Sequence, residues 1–463
     1  MKRKLVQTFT VLTSLFAMVA CNSNAVSFDS FINPGSSKNP SSNDFSKIEL
    51  VGVRELRSPE GLSHQLTGEE KDSQGYITFQ NKMRSFSNRL SDIIAKRHYK
   101  DGENYAVSPL SIELCLGLAI CCANGETRRE LLNALDMDYE TFNTNYKLFF
   151  NGIANERKNF LGELISQALL TNSIWIDNDV TLKDDGLDGL KDDYYCYSYN
   201  VDFDKDNQNA NKAIKNFIFN NTKGLINPDL NLSIETLFVL MNTIYIKDIW
   251  NEEGFDLNYA QADYRFKNSN GVLSTKPLLS GNYFTGKAIS NENYSSFYTN
   301  TSSGYRVYFV KPNEGKTIKD VFTKETMDYV LDSNNYLYQD SGKKERYQTN
   351  CIFPEYEASG DFDLGKIFKE ELNVNTLFSG SCDFSNITNE SVYCSEFKQL
   401  AKLKVNKTGI EGAAVTYMAY ATTSMPDDYK DIKETFVVDK EFGYILTYND
   451  AVIFSGVITN IDK

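Results

Sequence analysis

Apolar residues recur along this chain with two periods, and the places where the period changes mark its elements. From Gln80 to Tyr99 the spacing is helical, with Phe86, Leu90, Ile93 and Ile94 on one side. Ser108 followed by Pro109 predicts a helix start, because a serine hydroxyl caps free amide groups and proline fits the first helical position. That helix is apolar nearly all round from Ile112 to Cys122, which predicts burial beneath a sheet. Asn124-Gly125 stops it, and Thr127 with Glu130 predicts a capping box for the helix after it. The runs 168–177 and 237–250 predict strands, the second buried on both faces, with an amphipathic helix from Ala210 between them. Cys351–Glu357 predicts a further strand and the run from Phe362 to Phe378 a further helix, and Ser395–Val405 leads into the run described next.

The run from Val405 to Ser424 fits no ordinary strand, since it is rich in small residues and holds Gly409 and Gly412. Period two is still legible. One face holds Ile410, Gly412, Ala414, Thr416, Met418, Tyr420 and Thr422; the other holds Glu411, Ala413, Val415, Tyr417, Ala419 and Ala421. The lone charge, Glu411, marks the second face as solvent and leaves the first free to go under a sheet. Pro426 and four acidic residues follow in S-M-P-D-D-Y-K-D-I-K-E, which predicts an exposed loop. A segment able to be strand or exposed loop is a candidate switch.

Several chemistries are excluded. The GxxxxGK run from Gly281 to Lys287 is followed by Ala288, so the magnesium hydroxyl is missing, and Tyr283-Phe284 fills the phosphate cradle; a hairpin is the better reading. There are only two histidines, His64 and His98, and no CxxC or GxSxG, which argues against a metal centre or a serine triad. No cofactor is implied. The formal charge of −14 argues against nucleic acid.

Lys2, Arg3 and Lys4 precede an apolar run from Phe9 to Ala20, too short for a good spanning helix, which needs about 20 apolar residues. Met18-Val19-Ala20-Cys21 closes it as in a bacterial lipoprotein signal. The expected organisation is a leader over 1–20, a lipid on Cys21, a Ser/Asn/Pro-rich tether over 21–47 and one large domain over 48–463. The expected location is an exported lipoprotein at the outer membrane or cell surface, attached through that lipid. Of the seven other cysteines, Cys115, Cys121 and Cys122 lie in the apolar helix and predict buried free thiols, with a Cys382–Cys394 pairing the lesser alternative.

The run N-K-T-G-I-E-G-A-A-V-T, followed after the loop by F-V-V-D-K-E-F-G-Y-I-L, resembles the hinge, reactive loop and C-terminal strands of the serpins. S-P-L-S-I at Ser108, V-D-F at Val201, L-F-V-L-M-N-T-I-Y-I-K-D-I-W ending at Trp250 and D-F-S-N-I at Asp383 resemble further serpin segments in the same order, over roughly residues 78 to 461. The resemblance implies an α+β serpin fold: a large mixed or antiparallel central sheet, further sheets, about eight or nine helices and an exposed reactive loop near the C-terminus. It implies a monomer rather than an enzyme, whose partners are serine and also cysteine proteases. These cut the loop and are trapped as acyl-enzymes when the hinge enters the sheet. The competing class is a serpin-fold binding or carrier protein whose loop is only a substrate.

The resemblance places the hinge at Gly409, Ile410, Glu411, Gly412, Ala413, Ala414, Val415 and Thr416. Ser108, Ser111 and Asn242 match the family's polar cluster where the sheet parts, with Gln399 in place of a histidine and Trp250 near the top of the sheet. Lys407 replaces a glutamate just before the hinge, which puts a salt bridge there in doubt. Counting from Gly409 sets the scissile bond at Thr423-Ser424; counting back from the F-V-V-D-K-E-F strand sets it near Lys430-Asp431. Tyr420 and Met425 are further alternates. The hinge-side count is preferred, because inserted length is fixed from that side.

Overall fold

The computed structural model describes residues 50–60, 66–159, 162–250, 258–260, 263–336, 345–394, 397–411 and 430–463. The leader, Cys21, the tether, hinge residues Gly412–Thr416, and Tyr420, Thr423, Ser424 and Met425 lie outside them.

The fold is α+β, with a large mixed sheet, two further sheets and ten α-helices among the described residues. This is more than the expected eight or nine, and two of the ten, Gly68–Lys71 and Ile318–Val321, are single turns. In the large sheet the order is Arg54–Arg57, Cys196–Val201, Leu164–Asp177, Phe238–Ile249, Gly409–Ile410, Lys398–Asn406, Tyr356–Asp363. The strand Asn155–Lys158 also pairs with Leu164–Asp177. Only the pairing of Leu164–Asp177 with Cys196–Val201 is parallel in that sheet. The six-stranded sheet holds the C-terminal hairpin Phe442–Tyr448 and Ala451–Ile458. The four-stranded sheet contains Leu278–Thr285, Glu345–Pro354 and Lys430–Val437, so the rejected GxxxxGK run begins as a strand rather than a phosphate-binding turn.

Two helices carry the core: Gln74–His98 lies against the strand Ala451–Ile458 of the six-stranded sheet, and Pro109–Cys122 beneath the large sheet. Gln74–His98 begins six residues before the periodic run, because Ser73 Oγ accepts from Tyr76 N at 3.3 Å and caps it there. Its stripe Phe79, Met83, Phe86, Leu90 and Ile94 is fully buried. Pro109–Cys122 is capped by Ser108 as expected, its Oγ accepting from Ser111 N at 3.3 Å. The helix runs against the strand Phe238–Ile249, with Ser111 Oγ 3.3 Å from the Asn242 carbonyl and Cys115 Sγ 3.6 Å from that of Leu240. Gly117 is required at its crossing with Tyr146, since a Cβ there would lie 2.2 Å from the ring. One charged residue breaks the apolar cylinder: Glu113 is completely buried, accepting from Ser87 Oγ at 2.6 Å.

Two local expectations are corrected. The helix Pro109–Cys122 stops just before Asn124-Gly125 as expected, and Asn124 also begins the next helix, Gly125–Ala134, its side chain accepting from Gly125 N at 3.1 Å. Thr127 and Glu130 therefore fall inside that helix and serve other segments. Thr127 Oγ1 accepts from Asp383 N at 3.0 Å, and Glu130 accepts from the amides of Asn375 and Thr376 at 2.7 and 2.8 Å. The strand Phe238–Ile249 is buried on both faces only from Thr243 onward; Phe238–Asn242 is half-buried. None of the seven described cysteines is in a disulfide, so the alternative Cys382–Cys394 bridge is not formed.

Candidate functional site: the hinge and the seam it enters

The strand Lys398–Asn406 alternates Gln399, Ala401, Leu403 and Val405 toward the core with lysines outward. At its end Asn406 makes a tight turn: its Oδ1 accepts from Thr408 N at 2.8 Å, Thr408 Oγ1 at 2.7 Å and Gly409 N at 3.2 Å. The turn sends Gly409–Ile410 back antiparallel to Val405–Asn406 on one side and to Asp248–Ile249 on the other. Glycine is needed at 409, because a Cβ there would lie 2.0 Å from the Asp248 carbonyl oxygen. Ile410 is completely buried. Among the described residues these two are the only strand positions joining Phe238–Ile249 to Lys398–Asn406.

Trp250 pins this entrance, its Nε1 donating to the Asn406 carbonyl at 2.7 Å and its amide to that of Thr408 at 3.3 Å. Lys407 makes no glutamate pair through its ammonium among the described residues; that group lies 5.3 Å from the Tyr259 ring, while the Lys407 amide donates to Glu355 Oε1 at 2.7 Å.

Further down the seam the sequence-predicted polar residues come together. Gln399 clasps the Ser108 backbone, its Oε1 accepting from Ser108 N at 3.1 Å and its Nε2 donating to Ser108 O at 2.6 Å. Ser108 Oγ donates to the Ile453 carbonyl at 2.7 Å, tying the helix start to the six-stranded sheet. Asn242 joins through its carbonyl to Ser111, and its Nδ2 donates to Asn172 Oδ1 at 2.9 Å. Its Oδ1 is buried with no partner. Trp250 does not belong to this group, correcting its assignment to the cluster. It stands eight positions along the chain from Asn242, about 26 Å at the rise of an extended strand.

Below the cluster, a cavity of about 80 Å³ opens between the helix Pro109–Cys122 and the strand start. Cys115, Ala119, Phe238, Leu240 and Phe397 line it.

The expectation that Glu411 faces solvent is also corrected. Its amide donates to the Lys404 carbonyl at 3.0 Å and its φ is +46°, so the strand breaks immediately after Ile410. Its carboxylate is drawn into the sheet surface, hydrogen-bonded to Tyr245 and within the field of Lys404, Lys402 and Lys247. Burial outweighs those cations and pushes the carboxyl up to about 7. On the core side of the same seam, burial raises Asp248 to about 6 despite its bonds from Ser303 N and Oγ at 2.9 and 3.1 Å. Sequence reading missed Tyr245 and the lysines. The signal was there: Lys402 and Lys404 alternate on one face of a strand that leads straight into an acid.

Of the alternate cleavage positions, Lys430 and Asp431 begin the strand Lys430–Val437, paired in register with Glu345 and Arg346.

Residues 81–461 match the sequence profile of the family described as Serpin (serine protease inhibitor). The chain belongs to that family. Its relatives include alpha-1-antitrypsin 1-1 of Mus musculus, 24% identical over 336 residues, which cover 71% of this chain and 78% of the relative. Serpin I2 of Homo sapiens is 24% identical over 382 residues, covering 78% and 87%. Among solved structures, the native state of the thermophilic serpin tengpin has a TM-score of 0.66 at 20% identity, covering 89% of this chain and all of that one. A thyroxine-binding globulin complex with thyroxine has a TM-score of 0.64 at 18% identity, covering 82% and 99%. The fold is therefore shared by a chain named as a thermophilic serpin and by one named as a thyroxine-binding globulin.

Proposed function

We propose that this chain is a suicide-substrate inhibitor that traps serine endopeptidases, and also cysteine endopeptidases, as covalent acyl-enzymes. The observation that carries the reading is the threading of Gly409–Ile410 between two long strands that, among the described residues, share no other ladder partner. Continuing both registers by one residue per step brings Gly412 opposite Ile246 and Leu403, Ala414 opposite Ile244 and Ala401, and Thr416 opposite Asn242 and Gln399. Small residues thus meet the packed upper seam, and a hydroxyl meets the polar cluster that holds an unpartnered Asn242 Oδ1. Two steps further, Met418 arrives opposite Leu240 and Phe397, at the rim of the cavity, where an adaptable thioether suits an irregular gap.

The chemistry follows from this order. A protease serine or cysteine attacks the carbonyl carbon of Thr423, the peptide bond to Ser424 breaks, and the amine leaves with the C-terminal fragment. The freed strand adds its ladder bonds to the seam and carries the esterified protease with it, so insertion races hydrolysis of the acyl bond. Cleavage at Lys430-Asp431 is disfavoured, since those residues are already in a ladder. We further propose that the lipid expected on Cys21 holds the inhibitor at the bacterial surface, where it would meet foreign proteases.

The reading is tested by mixing the chain with elastase-like, subtilisin-like, trypsin-like and papain-like proteases and resolving the products on denaturing gels. A covalent complex whose released fragment starts at Ser424 is expected. Clean cleavage with full protease activity retained overturns inhibition and favours the carrier reading.

A further inference from the structure

Glu411 is the last described residue of the hinge. Ile410 before it is extended and buried, whereas Glu411 turns to φ +46°, so the ladder stops at the residue carrying the only charge in the hinge. Its carboxylate lies on the outer face, opposite the core face that takes Ile410. The groups facing it come from both flanking strands: Tyr245 and Lys247 from Phe238–Ile249, and Lys402 and Lys404 from Lys398–Asn406.

Those cations are already shared. Lys402 and Lys404 bind opposite oxygens of Glu357 at 2.6 and 3.0 Å, from the next strand, so Glu411 receives only part of their charge. Tyr245 supplies one hydrogen bond, and Glu411 Oε2 is buried with no partner. An ionised carboxylate in this seat is under-solvated; a neutral one is not.

We propose that Glu411 is a proton-controlled catch that positions the hinge: protonated, it holds Gly409–Ile410 seated in the seam, and ionised, it lets them leave it. This rests on the insertion reading above and adds its control.

The sign is fixed by linkage. Seated, the group ionises near 7; released into water, it returns to its ordinary value of 4.5. The seated state therefore binds the proton more tightly and is favoured as pH falls. Between those two values the seated-to-released ratio drops by up to about tenfold per pH unit as pH rises, and it is flat above 7 and below 4.5. Asp248, on the opposite face, is raised into the same range.

The test is a thiol-accessibility titration of the full chain carrying Ile410→Cys, since position 410 is completely buried while the hinge is seated. The rate at which a small disulfide reagent labels the introduced thiol is normalised to a free cysteine at each pH, and labelling of the parent chain's own thiols is subtracted. The expected result is a protected thiol whose relative accessibility climbs by about tenfold per unit up to pH 7 and then levels off. Adding Glu411→Gln should flatten the climb; adding Asp248→Asn should leave it. Tyr245→Phe should move the plateau to higher pH, because the ionised form loses its hydrogen bond. Labelling at the free-cysteine rate throughout, or a climb that survives Glu411→Gln, overturns the catch. Because no protease is present, covalent trapping with a flat titration would sink the catch alone, and a Glu411-dependent titration without trapping would sink inhibition alone.

Discussion

The strand Phe238–Ile249 has two edges, and they could hardly differ more. Along one, eleven consecutive residues from Phe238 to Asp248 pair with Ile176 to Ser166 of the neighbouring strand. Along the other, only Asp248 and Ile249 find ladder partners among the described residues, and these are the hinge. The first edge is a permanent seam; the second is a seam with an entrance. A continuous ladder ties the half-sheet of Leu164–Asp177 and Phe238–Ile249 into one body, and another ties Lys398–Asn406 to Tyr356–Asp363 over eight pairs. What lies between them is held by side chains: Gln399, Ser108, Ser111 and Asn242 in the middle, and Glu411 with its lysines at the top. Backbone pairing sets where the sheet is rigid, and polar side chains set where it parts.

The sharpest way to break the comparison is to close the entrance to the incoming strand. Ala414→Arg would put a guanidinium opposite Ile244 and Ala401, on the face that must be buried. An unpaired buried charge costs several kcal/mol, roughly 3–5, enough to slow insertion beyond acyl hydrolysis. Covalent complex on denaturing gels should vanish while loop cleavage continues. A complex of undiminished yield would show that position 414 does not enter the seam.

A smaller effect is expected in the middle of the seam. Gln399→Leu removes the partner of the Ser108 amide while keeping the volume, leaving that buried N–H unmet and the Ser108 carbonyl with Ile112 N alone, at 3.3 Å. The expected loss is about 2 kcal/mol, read as a lower urea midpoint at unchanged slope. No change would mean that water replaces the amide there, and that the cluster does not hold the seam shut.

How much of this was legible from residues alone divides along the same line. The apolar helix after Ser108 and the long strand leading to Trp250 were readable because period and composition are local properties. The seat of Glu411 was not, because it depends on which three strands become neighbours, and a lone acid at an alternating position reads as solvent until Tyr245 and the lysines are placed around it. The capping role given to Thr127 and Glu130 failed for a related reason. Their spacing is right, but both side chains are claimed by amides more than two hundred residues away in sequence.

Glu113 offers a pH test that separates the floor from the seam. Burial raises its carboxyl to about 8, with only Ser87 opposing, and Oε2 has no partner. The folded state holds the proton more tightly than the unfolded chain, whose carboxyl titrates near 4.5, so the stability it supports is present in acid and lost as pH rises toward 8. Thermal midpoints should fall between about pH 4.5 and about pH 8 and level off above it, and Glu113→Gln should flatten that fall. The variant should leave the hinge titration of Glu411 untouched, since Glu113 lies within the helix beneath the sheet.

The mildest intervention is at the base. The cavity beneath Leu240 and Phe397 holds about 80 Å³, room for a few methylene groups but not for an aromatic ring and an incoming Met418 together. Ala119→Leu should fill much of it with little strain before cleavage, because the space exists and the new side chain is apolar, so stability should hold or rise by about 1 kcal/mol. After cleavage the same leucine competes with Met418 for the gap. The expected outcome is a modest shift of the race: a few-fold more inhibitor consumed per protease trapped, with the cleavage site unchanged. If that ratio stays as it was while stability rises, the inserted strand stops short of Met418, and the seam receives only the part of the hinge that ends at the polar cluster.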